Sequence, residues 1–249
     1  MTTPALAETV RGKGRHYRDP DSGELYPSVT NILGVIDKPA IAWWQTKGAL
    51  AAAWDDREAF SRMRERDVAV KAYQSAAFKQ RDKAADLGSH IHAVCDALSS
   101  DAPMPDVGDD AAPYVDQFVK WVSDNDVKVV HSERTVISTT HRYAGTFDLL
   151  AWLEGVLWLV DIKTGKAVYP EAALQLAALA HAPVICDPGG GVDTFVTPER
   201  AGVLHLRADG HELVEADIGA ATFEAFLGAR ALWDFVKGGG AESALAGGR

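Results

Sequence analysis

Asp148, Asp161 and Lys163 are residues whose types and spacing could do chemistry together. They lie in GTFDLLAWLEGVLWLVDIKTGK, residues 145–166, where two apolar runs, 146–153 and 156–162, flank Glu154-Gly155. Both runs are rich in Leu, Val, Phe and Trp and have the length of strands, so the stretch reads as a β-hairpin. If Glu154 and Gly155 form a two-residue loop, position i faces position 309 − i and Asp148 stands opposite Asp161. Carboxylates placed directly across an antiparallel pair have Cβ atoms roughly 4.5–5.5 Å apart. Lys163 shares their face, because side chains alternate along a strand.

Two acids in so apolar a hairpin would repel each other and be poorly solvated. A divalent cation between them removes both problems, and a few hard oxygen donors with open positions left over suit Mg²⁺ or Mn²⁺. A lysine beside such an ion could hold an attacking water or neutralise charge on a pentacovalent phosphate. The bland alternative is a hairpin whose acids face solvent.

GTFD, then DIKTGK, then Gln175 on a following helix resembles the PD-(D/E)XK nuclease superfamily. The likeness is greatest to the branch holding RecB-type nuclease domains, CRISPR-associated four-cysteine nucleases and phage recombination exonucleases. It covers about residues 87–180, and YPSVTNIL near the N-terminus is similar to the opening of phage-encoded members. The resemblance implies a restriction-endonuclease-like α/β core. Asp148 and Asp161 would ligate Mg²⁺ or Mn²⁺, with the Ile162 carbonyl contributing and Lys163 acting on the water or phosphate. In GSHIHAVCDAL it assigns a further ligand to His92, which also shares a helix face with Asp96. Related nucleases often carry a glutamate on the preceding strand, which makes Glu133 a candidate ligand; a surface acid is the equal alternative. Gln175 matches the glutamine of the family's Gln-x-x-x-Tyr element, but Leu179 stands at the tyrosine position. Four-cysteine relatives ligate an iron–sulfur cluster; with Cys95 and Cys186 alone, no cluster is expected.

These residues need elements to position them. Residues 1–15 read as loosely attached, and HYRDPDSGELYPSV as a small hairpin or loop. Ser28 or Thr30 can cap a short helix to about Ile36. Pro39 opens a helix whose Trp43, Trp44 and Trp54 are expected in the core, with DNA stacking the minority alternative. Residues 57–83 are charged and helix-prone; Arg57, Arg62, Arg64 and Arg66 form either a solvated face or a phosphate contact. A helix from about Leu87 to Leu98 carries His92, a loop follows, and 114–123 is helical. Residues 127–137 alternate as a strand, with Val127, Val129, His131, Glu133, Thr135 and Ile137 on one side. Helix 171–182 carries Gln175. A hairpin around Asp209-Gly210 and an amphipathic helix over 222–236, with Phe223, Phe226, Leu227 and Trp233 as core candidates, come next. The glycine-rich end, 238–249, reads as a flexible tail.

Bulk composition narrows the classes. With 249 residues, 47% hydrophobic and 24% charged, the chain fits one domain with a large core, which the resemblance implies is nuclease-like. Within it, 1–84 would be a mainly helical N-terminal part and 85–237 the core. No apolar run is long enough to span a membrane and no secretion signal opens the chain, so a cytoplasmic protein (host cytoplasm if phage-encoded) is expected. A net charge of −10 argues against a broad, sequence-independent DNA-binding surface. The expectation is a metal-dependent deoxyribonuclease, an exonuclease of phage recombination or repair, with DNA as substrate and a possible recombination partner protein. The resemblance implies 5′-phosphate and 3′-hydroxyl products. A non-catalytic DNA- or protein-binding relative and a small-phosphoester hydrolase stay open as alternatives.

Overall fold

Glycine turns punctuate the N-terminal residues into strands rather than the loose segment expected. Strands β1 (Ala7–Val10), β2 (Gly14–Arg18) and β3 (Leu25–Pro27) make an antiparallel three-stranded sheet. Gly12 and Gly14 both take positive φ, which lets the first turn close. The structure, a computed structural model, describes residues 4–100 and 102–238; the expected tail beyond Gly238 lies outside them. Ser28 caps α1 (Val29–Leu33), its side chain accepting from the Asn31 N–H.

The chain divides into two units: Asp37–His90, and the residues on either side of it. The first is helical, with α2 (Pro39–Asp55), α3 (Arg57–Arg62) and the greater part of α4 (Arg66–Ser99). Helix α4 runs unbroken through the point where a separate helix was expected to begin at Leu87. Trp43 and Trp54 are 71% and 72% exposed and Trp44 is half-buried, so the expected tryptophan core does not form. Within this unit Tyr73 is one of the few buried side chains among the described residues, its hydroxyl bonded to Asp56 at 3.0 Å.

The other unit contains α5 (Ala112–Asp124), β4 (Lys128–Ser138), β5 (Tyr143–Leu153), β6 (Val156–Lys163), α6 (Glu171–Ala180), β7 (Val184–Cys186), β8 (Val192–Thr194), β9 (Arg200–Arg207), β10 (Gly210–Ala216) and α7 (Ala220–Lys237). Its seven strands form one mixed sheet in the order β10-β9-β6-β5-β4-β7-β8. Neighbours are antiparallel except β6 and β9, which run parallel because α6 and the β7–β8 hairpin intervene between them. The architecture is α/β, a large mixed sheet flanked by helices. Helices α1, α6 and α7 share one hydrophobic core with the sheet, built on Leu176, Leu179, Phe226 and Leu159. Each such fully buried side chain contributes about 1.5–3 kcal/mol. The other face carries a smaller cluster in which Tyr17 and Tyr26 meet Ile137, Ala144 and Cys186.

Three local features differ from the sequence reading. Strand β4 carries one extra residue, Val130, so the strict alternation expected over 127–137 is broken. Strands β7 and β8 are three residues each, too short for a periodicity to show. The turn between β9 and β10 centres on Ala208 and Asp209, with Gly210 already paired to Arg207.

Candidate metal centre

The β5–β6 hairpin positions the site. Glu154 and Gly155 both take the left-handed conformation, φ 50° and 81°, which a two-residue turn of the primed type needs. The pairs Leu153↔Val156 through Leu149↔Val160 all obey the expected register. Asp148 and Asp161 come next in that register, just past the last paired residues. There the Ile162 N–H donates to Asp148 Oδ2 at 2.6 Å, so a carboxylate ties the two strands where the ladder stops.

Strand β4 adds the third acid. Beyond Val130 the pairs Ser132↔Leu149 and Arg134↔Phe147 set Glu133 level with Asp148. Before the bulge the register differs by one, and it would have set Ser132 there instead. Glu133 itself has φ 47°, an unfavourable conformation for a side-chain-bearing residue and of a kind that clusters at functional sites. Glu133, Asp148 and Asp161 therefore stand in a row across three adjacent strands.

His92 reaches the row from α4, its Nδ1 lying 3.4 Å from Asp148 Oδ1. One ligand atom each from His92, Glu133 and Asp148 lie within 4.8 Å of one another. Asp96, expected to share a helix face with His92, accepts a 2.6 Å hydrogen bond from Ser132 Oγ. That bond fastens this turn of α4 beside Glu133; the sequence reading gave Ser132 no role.

Asp161 is 4% exposed and is held by its own partners. Its Oδ1 accepts from Lys163 Nζ and from Gln175 Nε2, each at 2.9 Å. Oδ2 lies 2.7 Å from the same ammonium, yet is buried without a well-formed hydrogen bond among the described residues. Gln175 thus touches the site through Asp161. Ile162, expected to contribute its carbonyl, is tied to the site by its N–H.

Leu179, one turn beyond Gln175, is 1% exposed and belongs to the core. A Cβ on Gly145 would come within 2.7 Å of its Cδ2. Leu179 is therefore accounted for by packing between α6 and β5.

Electrostatics follow from crowding acids out of water. Burial, reinforced by Asp148, pushes Glu133 up to about 8. Burial works against a charged His92, but the Asp148 carboxylate outweighs it and holds the imidazole at about 9. Burial opposes ionisation of Asp148 too, yet His92, Lys163 and the Ile162 N–H keep its carboxyl below the ordinary range. Asp161 is raised, by burial against the pull of Lys163. Lys163 is raised because Asp161 and Asp148 overcome its burial. Cys95 is pushed up to about 12 by burial and the nearby Asp148, so it sits there as an inert thiol.

Glu133 held largely protonated beside His92 and Asp148 is a pattern a cation would reverse, since hard ions bind carboxylates only in the ionised form. The arrangement can hold one divalent ion on mixed oxygen and nitrogen donors, with an ammonium one strand away. No family model matches the chain, and no curated protein matches it.

Proposed function

We propose that this chain is a divalent-metal-dependent deoxyribonuclease with a restriction-endonuclease-like core, of the RecB-like and phage recombination exonuclease branch. One observation carries the reading: His92, Glu133 and Asp148 converge within 4.8 Å beside a buried carboxylate engaged by a lysine and a glutamine. The order of elements agrees with it, since the β4–β5–β6 meander is followed by α6 and a strand returning parallel to β6.

The donors fit Mg²⁺ or Mn²⁺. Two carboxylates and an imidazole gather within 4.8 Å, and the neighbouring Asp161 Oδ2 has no well-formed hydrogen bond among the described residues. His92, Glu133 and Asp148 would hold the ion, with Asp161 and the Ile162 carbonyl as further ligands on the family pattern. A bound ion supplies Lewis-acid polarisation of the scissile phosphate. The remaining work belongs to the chain. The Lys163 ammonium stays charged, and it orients the attacking water or neutralises charge on the phosphate. Asp161 holds that ammonium, and Gln175 holds Asp161.

The net charge of −10 and Leu179 favour the rival of a non-catalytic DNA- or protein-binding relative, and a small-phosphoester hydrolase is the second rival. One experiment separates them: end-labelled linear duplex, single strands, closed circles and a generic phosphodiester, each with Mg²⁺ or EDTA. Mg²⁺-dependent loss of linear DNA with circles intact is expected. Cleavage of the generic ester alone would leave the small-substrate reading, no cleavage a binding protein, and rapid nicking of circles would end the exonuclease assignment.

A further inference from the structure

A cavity of about 430 Å³ is walled by Lys13, by Arg142 at the entrance to β5, and by Arg230, Trp233, Asp234 and Lys237 of α7. None of its lining residues belongs to the metal cluster. In a chain of net charge −10, four cationic side chains meet here against one lining carboxylate, Asp234, and the Glu24 partner of Arg142. Arg142 pairs with Glu24 at 2.7 Å, and Arg230 with Asp234. Lys13 and Lys237 have no ion pair among the described residues, which leaves the wall two charges positive.

The two arginines are held in place before any ligand arrives, while Lys13 and Lys237 are exposed. Arg230, with a side chain 13% exposed, lies over the Trp233 ring at 5.3 Å and donates to the Arg142 carbonyl at 3.2 Å. Its Nε is buried and has no acceptor among the described residues. Trp233 is 8% exposed, with Arg230 on its ring and the His16 ring 6.1 Å away, so it has little open face for a base to stack on. The class of ligand is an oxyanion rather than an aromatic ring.

We propose that this cavity binds a phosphate group. On the nuclease reading, which this part rests on, that group is a backbone phosphate of DNA engaged away from the cleavage site. Arg142 and Asp148 are six residues apart along one chain, which at about 3.4 Å per residue is about 20 Å. That span equals roughly six base-pair steps at ~3.4 Å each.

The test compares the full chain with the double variant Lys13→Gln/Lys237→Gln, in EDTA so that nothing is cleaved. Anisotropy of labelled duplexes of about 20 and about 5 base pairs is measured between roughly 50 and 200 mM salt. Calorimetry with inorganic phosphate runs alongside. On the long duplex the variant should lose about 0.9 from the slope of log K against log salt for each phosphate contact removed. On the short duplex the two proteins should agree, and phosphate binding should be lost in the variant. Phosphate bound by the wild type with no DNA binding keeps the cavity as a phosphate site and sinks the nuclease reading. Phosphate bound with equal DNA slopes assigns the site to free phosphate instead. Equal slopes with no phosphate binding overturn the proposal.

Discussion

On the proposed reading, Lys163 is the residue on which the chemistry turns most sharply. Its ammonium sits on Asp161 and, being a cation, is not itself a metal ligand. Lys163→Met should lower turnover by about 10²–10³ while leaving metal affinity near wild type. Arg should rescue poorly, since its planar fork differs from a compact ammonium. Initial rates against a Mg²⁺ titration check both, and a near wild-type rate in the Met variant would take Lys163 out of the mechanism. At this scale Asp148, Asp161 and Lys163 were legible, because alternation and loop length place side chains on a face without any tertiary knowledge. His92 and Glu133 came from resemblance: a histidine in a helix and an acid in a strand carry no spacing relation to a hairpin elsewhere in the chain. The Ser132–Asp96 bond was not legible at all, being a contact between residues 36 positions apart.

The hairpin is the element that makes the register, and its turn gives two predictions of opposite sign. Gly155 takes φ 81° with nothing within 4 Å of a built Cβ, so Gly155→Ala costs only the left-handed backbone, about 1–2 kcal/mol. Glu154, at φ 50°, is a residue poorly suited to that conformation. Glu154→Asn supplies the Asn-Gly pair that such turns prefer and should stabilise by about 0.5 kcal/mol. Urea unfolding of the two variants measures both, and equal midpoints would show that the turn does not set the hairpin's stability. Elements were legible where length and turn chemistry agreed, as in β5, β6 and α6. The bulge at Val130 left no mark, because one extra apolar residue in a run of alternating ones can be read in either phase. Yet that residue decides whether Glu133 or Ser132 stands beside Asp148.

For the whole molecule, composition separated classes better than it located parts. Among the described residues no helix is long and apolar enough to cross a membrane. The acidic balance is spread over the chain, while the acids that matter are the few the fold forces together. That forcing has a sign that can be followed with pH. Glu133, ordinarily near 4.5, is raised to about 8 in the fold, so its protonated form favours the folded state and that contribution is lost as pH rises through about 8. His92, ordinarily near 6.5, is raised to about 9; its contribution is complete below about 6.5 and is lost as pH rises through about 9. The metal-free protein should therefore lose stability between about pH 6.5 and 8 on both counts, and on to about pH 9 through His92 alone. A divalent ion needs the same two groups deprotonated, so its apparent affinity should rise across that window. The increment in Tm from a fixed millimolar Mg²⁺ concentration over EDTA should then grow with pH, and Glu133→Gln should flatten that growth. Melting curves of both proteins at several pH values in the window decide it. An increment that stays constant with pH in the wild type would mean that Glu133 and His92 do not hold the ion.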